Sequence, residues 1–315
     1  MKTKIMRQTI SIALLYLLFM ASFLNSATAN DSAAEISASG ILFKEEKNIS
    51  IENEDLFISL KKVEVSYVFK NHSDKDISIE VAFPVPEYTA EDAQRGLPFD
   101  DFVVEVNGNK IKYSSEVRAL LNGKDQSAVL KHMGISIYDF GGYSHPLYKE
   151  FYFNLADKGQ KALKKAGLVN EDGYPLWTVS KRYHWTQTFP AKKTTAIRHT
   201  YTPWWGYTMV DSPYIDDKSS YLYKDACISD ETNRWMKQTL TNIRPISVSI
   251  VGYILNTAKN WRTPIKDFHL KIEKNEKAKL GLCFDHKLTK TSETQYETHI
   301  KNFIPKRNLK VYYFQ

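Results

Sequence analysis

The residues able to do chemistry in this chain are eight histidines, two cysteines and one tight tryptophan pair. His199 lies in an alternating run with Ile197 and Tyr201, so its ring points to the same side as those neighbours. That placement favours a satisfied interior histidine over a general base or a metal ligand. His184 falls on the opposite side from Trp185 and is expected to face water. His145, Asp139 and Asp211 stand in polar stretches that a fold could bring together, but their spacing does not show it. Trp204-Trp205-Gly206-Tyr207 is the densest aromatic cluster. Exposed rings can stack on sugars or fill a partner's pocket, whereas buried ones plug the end of a sheet. The candidate binding residues are therefore Trp204, Trp205, Tyr207 and His199, and no residue is assigned a catalytic or metal-binding role.

The catalytic signatures that need fixed spacing are missing. There is no GxSxG elbow, no HExxH, no Walker A loop, no GxGxxG and no Cys/His metal spacing, so no cofactor is implied. Convergent sites need none of these. A hydrolase using His199 or His145 with a nearby carboxylate therefore stands as the alternative to a binding protein. Cys227 and Cys283 form an even count, which in an oxidising compartment favours one disulfide. Closing a loop of that length is worth roughly 4 kcal/mol on the chain-entropy account.

The N-terminus points to such a compartment. Lys2, Lys4 and Arg7 precede an apolar run over 12–24, and Ala27-Thr28-Ala29 matches a cleavage pattern. The expectation is a signal peptide over 1–29 and a periplasmic or secreted protein. The run is short for a membrane span, which takes about 20 residues. Three of the positive charges behind the net +7 lie in that leader, and the rest are scattered. Nothing resembles a nucleic-acid-binding motif.

These residues must be held by strands. Over 63–83, Val63, Val65, Tyr67 and Phe69 alternate with polar residues. So do Ile77, Ile79, Val81 and Phe83, after the polar break 71–75. Two such runs joined by a short Asn/Asp/Ser loop read as a β-hairpin. Asn107-Gly108 marks a second hairpin, pairing Val104 with Ile111 and Phe102 with Tyr113. Helical spacing enters at 114: Val117, Leu120 and Leu121, then Val129, Leu130 and Met133 before Gly134, then Leu163 before Gly167. Residues 52–55 read as an acidic turn, and Lys192-Lys193 as a hairpin tip. Ser229 caps a helix ending near Leu240. Leu280, Leu282 and Phe284 read as a strand among several in the last quarter.

Three stretches resemble a known family: Asn30-Asp31-Ser32-Ala33-Ala34-Glu35, the run from Tyr67 to Pro86 ending AFPVP, and Tyr253-Ile254-Leu255-Asn256-Thr257 with Asn260-Trp261 and Pro264-Ile265. Together they resemble an exported bacterial family known as a domain of unknown function, number 4424. That resemblance implies no activity, ligand or catalytic residue. The first half is also similar to the VIT-type β-sandwich, through Phe83-Pro84-Val85-Pro86, FVVEVNGNKI and Ser115-Glu116-Val117-Arg118-Ala119. The metal motif of the von Willebrand A domains that often follow that module is absent, since Asp217-Lys218-Ser219-Ser220-Tyr221 does not fit it.

The expected architecture is mostly β (α+β). A β-sandwich-like region over 30–205 carries a helical insertion at about 114–168, and a helix with a second β-rich region follows over 206–315. The expected function is non-catalytic binding of another envelope protein or a glycan.

Overall fold

The computed structural model describes residues 32–37, 40–88, 101–137, 155–203, 205–210, 221–240 and 245–315. The leader, His145, Asp139, Asp211 and Trp204 lie outside the described residues. The strands are β1 Ser32–Ser37, β2 Gly40–Phe43, β3 Ile49–Ile58, β4 Val63–Asn71, β5 Ile77–Pro84, β6 Val103–Val106, β7 Asn109–Lys110, β8 Ser114–Leu121, β9 Lys124–Asp125, β10 Thr178–Phe189, β11 Thr194–Tyr201, β12 Trp205–Val210, β13 Ile246–Tyr253, β14 Ile265–Glu273, β15 Lys279–Gly281, β16 Thr289–Lys290, β17 Gln295–Phe303 and β18 Leu309–Phe314. The helices are α1 Ser127–His132, α2 Asp157–Lys165, α3 Tyr221–Ala226 and α4 Asp230–Thr239, with a 3-10 turn over Asn256–Asn260. The protein is mostly β.

Three sheets result. Six strands run β2-β1-β5-β10-β8-β9, eight run β16-β17-β14-β3-β4-β11-β6-β7, and four run β12-β13-β18-β15. The eight-stranded sheet joins strands from both sides of residue 205, because β14 lies parallel to β3. One core runs between the three sheets. Val65 and Phe268 come from the eight-stranded sheet, Phe83 and Trp185 from the six-stranded, and Val251, Val311 and Tyr313 from the four-stranded. Tyr67 and Tyr253 join their hydroxyls across it at 2.9 Å.

The alternating run over 63–83 is not a hairpin. β4 pairs with β3 and β11, whereas β5 pairs with β1 and β10 in the opposite sheet. The chain crosses between the sheets as an arch, and the two apolar faces look at each other. Val63, Val65, Tyr67, Phe69, Val81 and Phe83 are buried, while Ile77 and Ile79 are half-buried. β10 and β11 form a second arch beside the first, so Lys192-Lys193 turns between sheets and is not a hairpin tip. Asn71 clamps the pair: its backbone N–H donates to the Lys193 carbonyl at 3.1 Å and its side-chain amide to the Phe189 carbonyl at 2.9 Å.

Two further expectations change. Residues 114–121 form strand β8, paired with β10, and not a helix. Val117, Ala119 and Leu121 satisfy a period of two as well as Val117, Leu120 and Leu121 satisfy a helix, and the neighbouring strand decides. Residues 52–55 form no turn, because they continue β3 through a bulge between Ile51 and Asn53. That bulge turns Glu54 inward, fully buried. The last-quarter strand is shorter than expected, with β15 ending before Leu282 and Phe284.

Other elements form as expected. Asn107 and Gly108 both have positive φ, 50° and 81°, as a type I′ turn requires. The Ile111 N–H donates to the Val104 carbonyl at 3.1 Å, in the expected register. Leu130 and Leu163 anchor α1 and α2 over β8 and β10, where Trp177 and Val179 are buried with them. Gly134 and Gly167 adopt positive φ at the ends of those helices. The Ser229 hydroxyl accepts the Thr232 N–H at 3.1 Å, capping α4.

The four-stranded sheet carries α3 and α4 over a small core of Ala226, Met236, Val248 and Phe314. At Gly281 an added Cβ would sit 2.9 Å from the Ala226 carbonyl oxygen and 2.9 Å from the Phe314 ring. Gly281→Ala should therefore destabilise the protein by about 1–3 kcal/mol, since the end of α3 cannot close on β15. A lower urea midpoint with unchanged slope is the expected readout, and an unchanged midpoint contradicts it.

Candidate functional site

β12 ends the four-stranded sheet and pairs with β13 alone among the described strands. Its alternation runs against the usual protection of an edge. Trp205 is half-buried against the central core, Tyr207 is 46% exposed and Met209 is 56% exposed. The strand reads WGYTMV, without charge or proline. Of the five other sheet edges, β7, β9, β15 and β16 are two or three residues long and each carries a lysine, whereas β2, reading GILF, is four residues long and uncharged. Short, charged edges refuse extra strands, and a six-residue neutral edge accepts one.

The histidines do not assemble an accessible catalytic centre among the described residues. His199 is fully buried, with ring neighbours Phe83 at 4.9 Å, Phe102 at 5.3 Å, Trp185 at 5.4 Å and Tyr67 at 5.8 Å. It packs the core. His184 is not solvated as expected, because its Nδ1 lies 2.5 Å from the Glu80 carboxylate. One Ser/His/Glu cluster escaped the sequence reading. Ser50 Oγ lies 2.7 Å from His72 Nε2 and donates to Glu52, whose other oxygen accepts from Lys266 at 2.7 Å. Ser50 has no exposed surface, so no substrate reaches it. The signal was the i, i+2 spacing of Ser50 and Glu52 in one strand. The partner histidine lies beyond β4, where spacing gives no guide.

Two further histidines, His269 and His299, lie on the outer face of the eight-stranded sheet. His269 sits 3.3 Å from Asp55 and 3.1 Å from Glu297, and His299 contacts Asp267. Arg198 continues the lattice to Glu64 at 2.9 Å and Glu105 at 3.1 Å. Among the described residues no three of His, Cys, Asp or Glu are placed to hold a metal ion. The hydrogen bond from Lys301 holds Asp267 below the usual carboxylate value of 3.8. The hydrogen bond from Lys271 holds Glu297 below its usual 4.5. Burial, then the Arg262 charge, keeps His72 below 6.5.

All three groups bind protons less readily folded than unfolded, so each contribution to stability is complete at neutral pH. The His72 contribution is lost as pH falls below 6.5, and the carboxylate contributions as it falls below 4.5. The urea midpoint should therefore decline in two stages on acidification, with His72→Gln removing the first. A wild-type midpoint unchanged down to pH 5 would contradict the His72 stage.

The sequence profile described as Domain of unknown function (DUF4424) matches residues 29–312. The chain belongs to the DUF4424 family. No curated protein matches this DUF4424 chain in sequence. Among solved structures it is similar to a candidate nutrient-binding protein of Legionella pneumophila subsp. pneumophila str. Philadelphia 1. The identity is 14% and the TM-score 0.47, over 91% of this chain and 70% of that one. It is also similar to an M1 zinc metallopeptidase from Deinococcus radiodurans, at 7% identity and a TM-score of 0.30, over 85% of this chain and 43% of that one. Scores this low transfer neither fold nor function.

The DUF4424 chain closes its expected disulfide. Cys227, which follows α3, is bonded to Cys283, which follows β15, with a sequence separation of 56 residues. The bond ties the helices to the sheet whose far edge is β12.

Proposed function

We propose that the chain is an exported, non-catalytic binding protein of the cell envelope, whose partner is another envelope protein that adds a strand to β12. The leader composition, Lys2, Lys4 and Arg7 before the apolar run 12–24 and Ala27-Thr28-Ala29, supports export. So does the Cys227–Cys283 disulfide. Among the described residues no helix is long and apolar enough to cross a membrane.

The neutral edge of β12, paired among the described strands with β13 alone, carries the reading. Backbone groups on an open edge supply affinity to an incoming strand, and alternate side chains supply selectivity. Tyr207 and Met209 are those alternate side chains. A photo-crosslinking residue placed at 207 or 209 in the producing cell should yield a discrete protein adduct. One at Leu176, 47% exposed but far from β12 in sequence, should not. Equal labelling at 176 and 207 would sink the reading.

A further inference from the structure

A recess opens where the 3-10 turn Asn256–Asn260 leads into β14. Its volume is about 250 Å³, just under the usual range for small-molecule clefts of about 300–1,000 Å³. The floor is rigid. Trp261 is 2% exposed and stacks into the core, its ring 5.0 Å from Phe69. Three hydrogen bonds pin the segment to the start of β3 and the residues just before it. The Glu46 N–H donates to the Asn260 carbonyl at 2.7 Å, the Arg262 N–H to the Ile49 carbonyl at 2.8 Å, and Arg262 Nη1 to the Lys47 carbonyl at 3.1 Å. Pro264 and Pro305 stiffen the two walls.

The lining combines two features. It contains Lys47, Lys259 and Arg262 and no acidic residue. Lys47 pairs with Glu45 at 2.7 Å, whereas Lys259 and Arg262 make no ion pair among the described residues. Ile304, which also lines the recess, is 57% exposed, the most exposed large apolar side chain among the described residues.

We propose that this recess binds a small organic anion. Its carboxylate or phosphate group faces Arg262 and Lys259, and its apolar part rests on Ile304 and Pro264. The guanidinium plane suits a carboxylate or phosphate by two parallel N–H bonds, which gives selectivity over a neutral head group. The burial of Trp261 leaves the ligand a preformed wall, so little ordering is needed on binding. The site does not depend on β12, and either proposal can fail without the other.

The test uses the disulfide-intact protein and calorimetric titration with hexanoate and hexyl phosphate. Hexanol and hexylamine serve as the neutral and cationic controls. The anions should bind at least about tenfold more tightly than either control, and Lys259→Gln and Arg262→Gln should each weaken them by about tenfold. Lys259 is exposed, so its variant folds even if the Arg262 variant does not. Phosphatidylglycerol and phosphatidylcholine vesicles separate the sources. Charge-selective binding to the first, lost in Arg262→Gln, identifies a lipid head group, and binding of the free anions alone identifies a soluble ligand. Equal affinity for hexanol and hexanoate, unchanged affinity in both charge variants, or no binding of any anion up to about 10 mM overturns the site.

Discussion

Phe102→Ala is expected to lower the stability of the protein by about 3–5 kcal/mol. Phe102 is 3% exposed and enters just ahead of β6, on the eight-stranded side of the core. Its ring stacks on Tyr183 of the six-stranded sheet, with centroids 4.1 Å apart and planes 3° apart. It also lies 5.3 Å from each of Phe83, His199 and Tyr113. It is therefore the ring through which the two sheets meet at this end of the sandwich. Truncation removes the transfer free energy of the side chain, leaves a cavity between two sheets that cannot close on it, and breaks aromatic pairs worth about 0.5–1.5 kcal/mol each. A natural domain has only about 5–15 kcal/mol in hand, so the variant should sit close to its folding limit at room temperature. Phe102→Leu should cost about 1–2 kcal/mol, because most of the volume stays. Tyr113→Phe should cost about 0.5–1.5 kcal/mol through loss of the 2.7 Å bond from its hydroxyl to the Phe102 carbonyl. Urea unfolding of the three variants must give that order. A loss below about 1 kcal/mol for Phe102→Ala would mean that the sheets meet elsewhere.

The same region shows what a period of two encodes. Alternation identifies which side chains of β4 leave water, whereas in β5 Ala82 and Pro84 are buried as well and Ile77 and Ile79 only half-buried. It says nothing about which strand receives the backbone hydrogen bonds. A hairpin and an arch place the same residues inside, and only the identity of the facing strands, β10 and β11 over a hundred residues later, separates them. Local chemistry was legible where one residue settles the backbone. Asn107-Gly108 fixes a turn by its need for positive φ, Ser229 fixes a helix start, and Gly134 and Gly167 fix two helix ends. Over 114–121 both periods fit eight residues, and pairing with β10 decided for strand.

The candidate sites divide along the same line. The inward face of His199 followed from Ile197 and Tyr201 in its own strand. Tyr207 and Trp205 were visible as aromatics, yet their value comes from β12 being an edge, a property of the whole sheet. The recess beside Trp261 gathers Lys47, Arg262 and Ile304 from three distant parts of the chain. Only Lys259, Trp261, Arg262 and Pro264, adjacent in sequence, could have signalled it, and alone they read as packing beside a polar turn.

Reduction of the Cys227–Cys283 bond supplies the second large effect. The bond closes 56 residues, which on the loop-entropy account is worth about 4 kcal/mol. α3 has six residues and α4 ten, too short to persist in water without tertiary contacts. Their contacts form one small cluster: Leu222, Ala226 and Met236 meet Val248 and Phe314, Tyr223 bonds Asn233 at 2.6 Å, and Glu231 and Asp225 pair with Lys279 at 2.7 Å and Lys310 at 3.3 Å. The disulfide therefore contributes a large share of what holds this cover on the four-stranded sheet. Cys227 is exposed, so a thiol reductant reaches the bond without global unfolding. The Cys227→Ala, Cys283→Ala double variant and the reduced wild type should show the same lowered midpoint, by up to about 4 kcal/mol. Limited proteolysis of either should cut within 221–240 before it cuts β4 or β10, because without the bond those short helices are no longer tied to β15, while β4 and β10 stay within the central core. An unchanged midpoint on reduction, or first cleavage in the central strands, would show that α3 and α4 are held by packing alone. The close contact at Gly281 would then be the determinant of that cover.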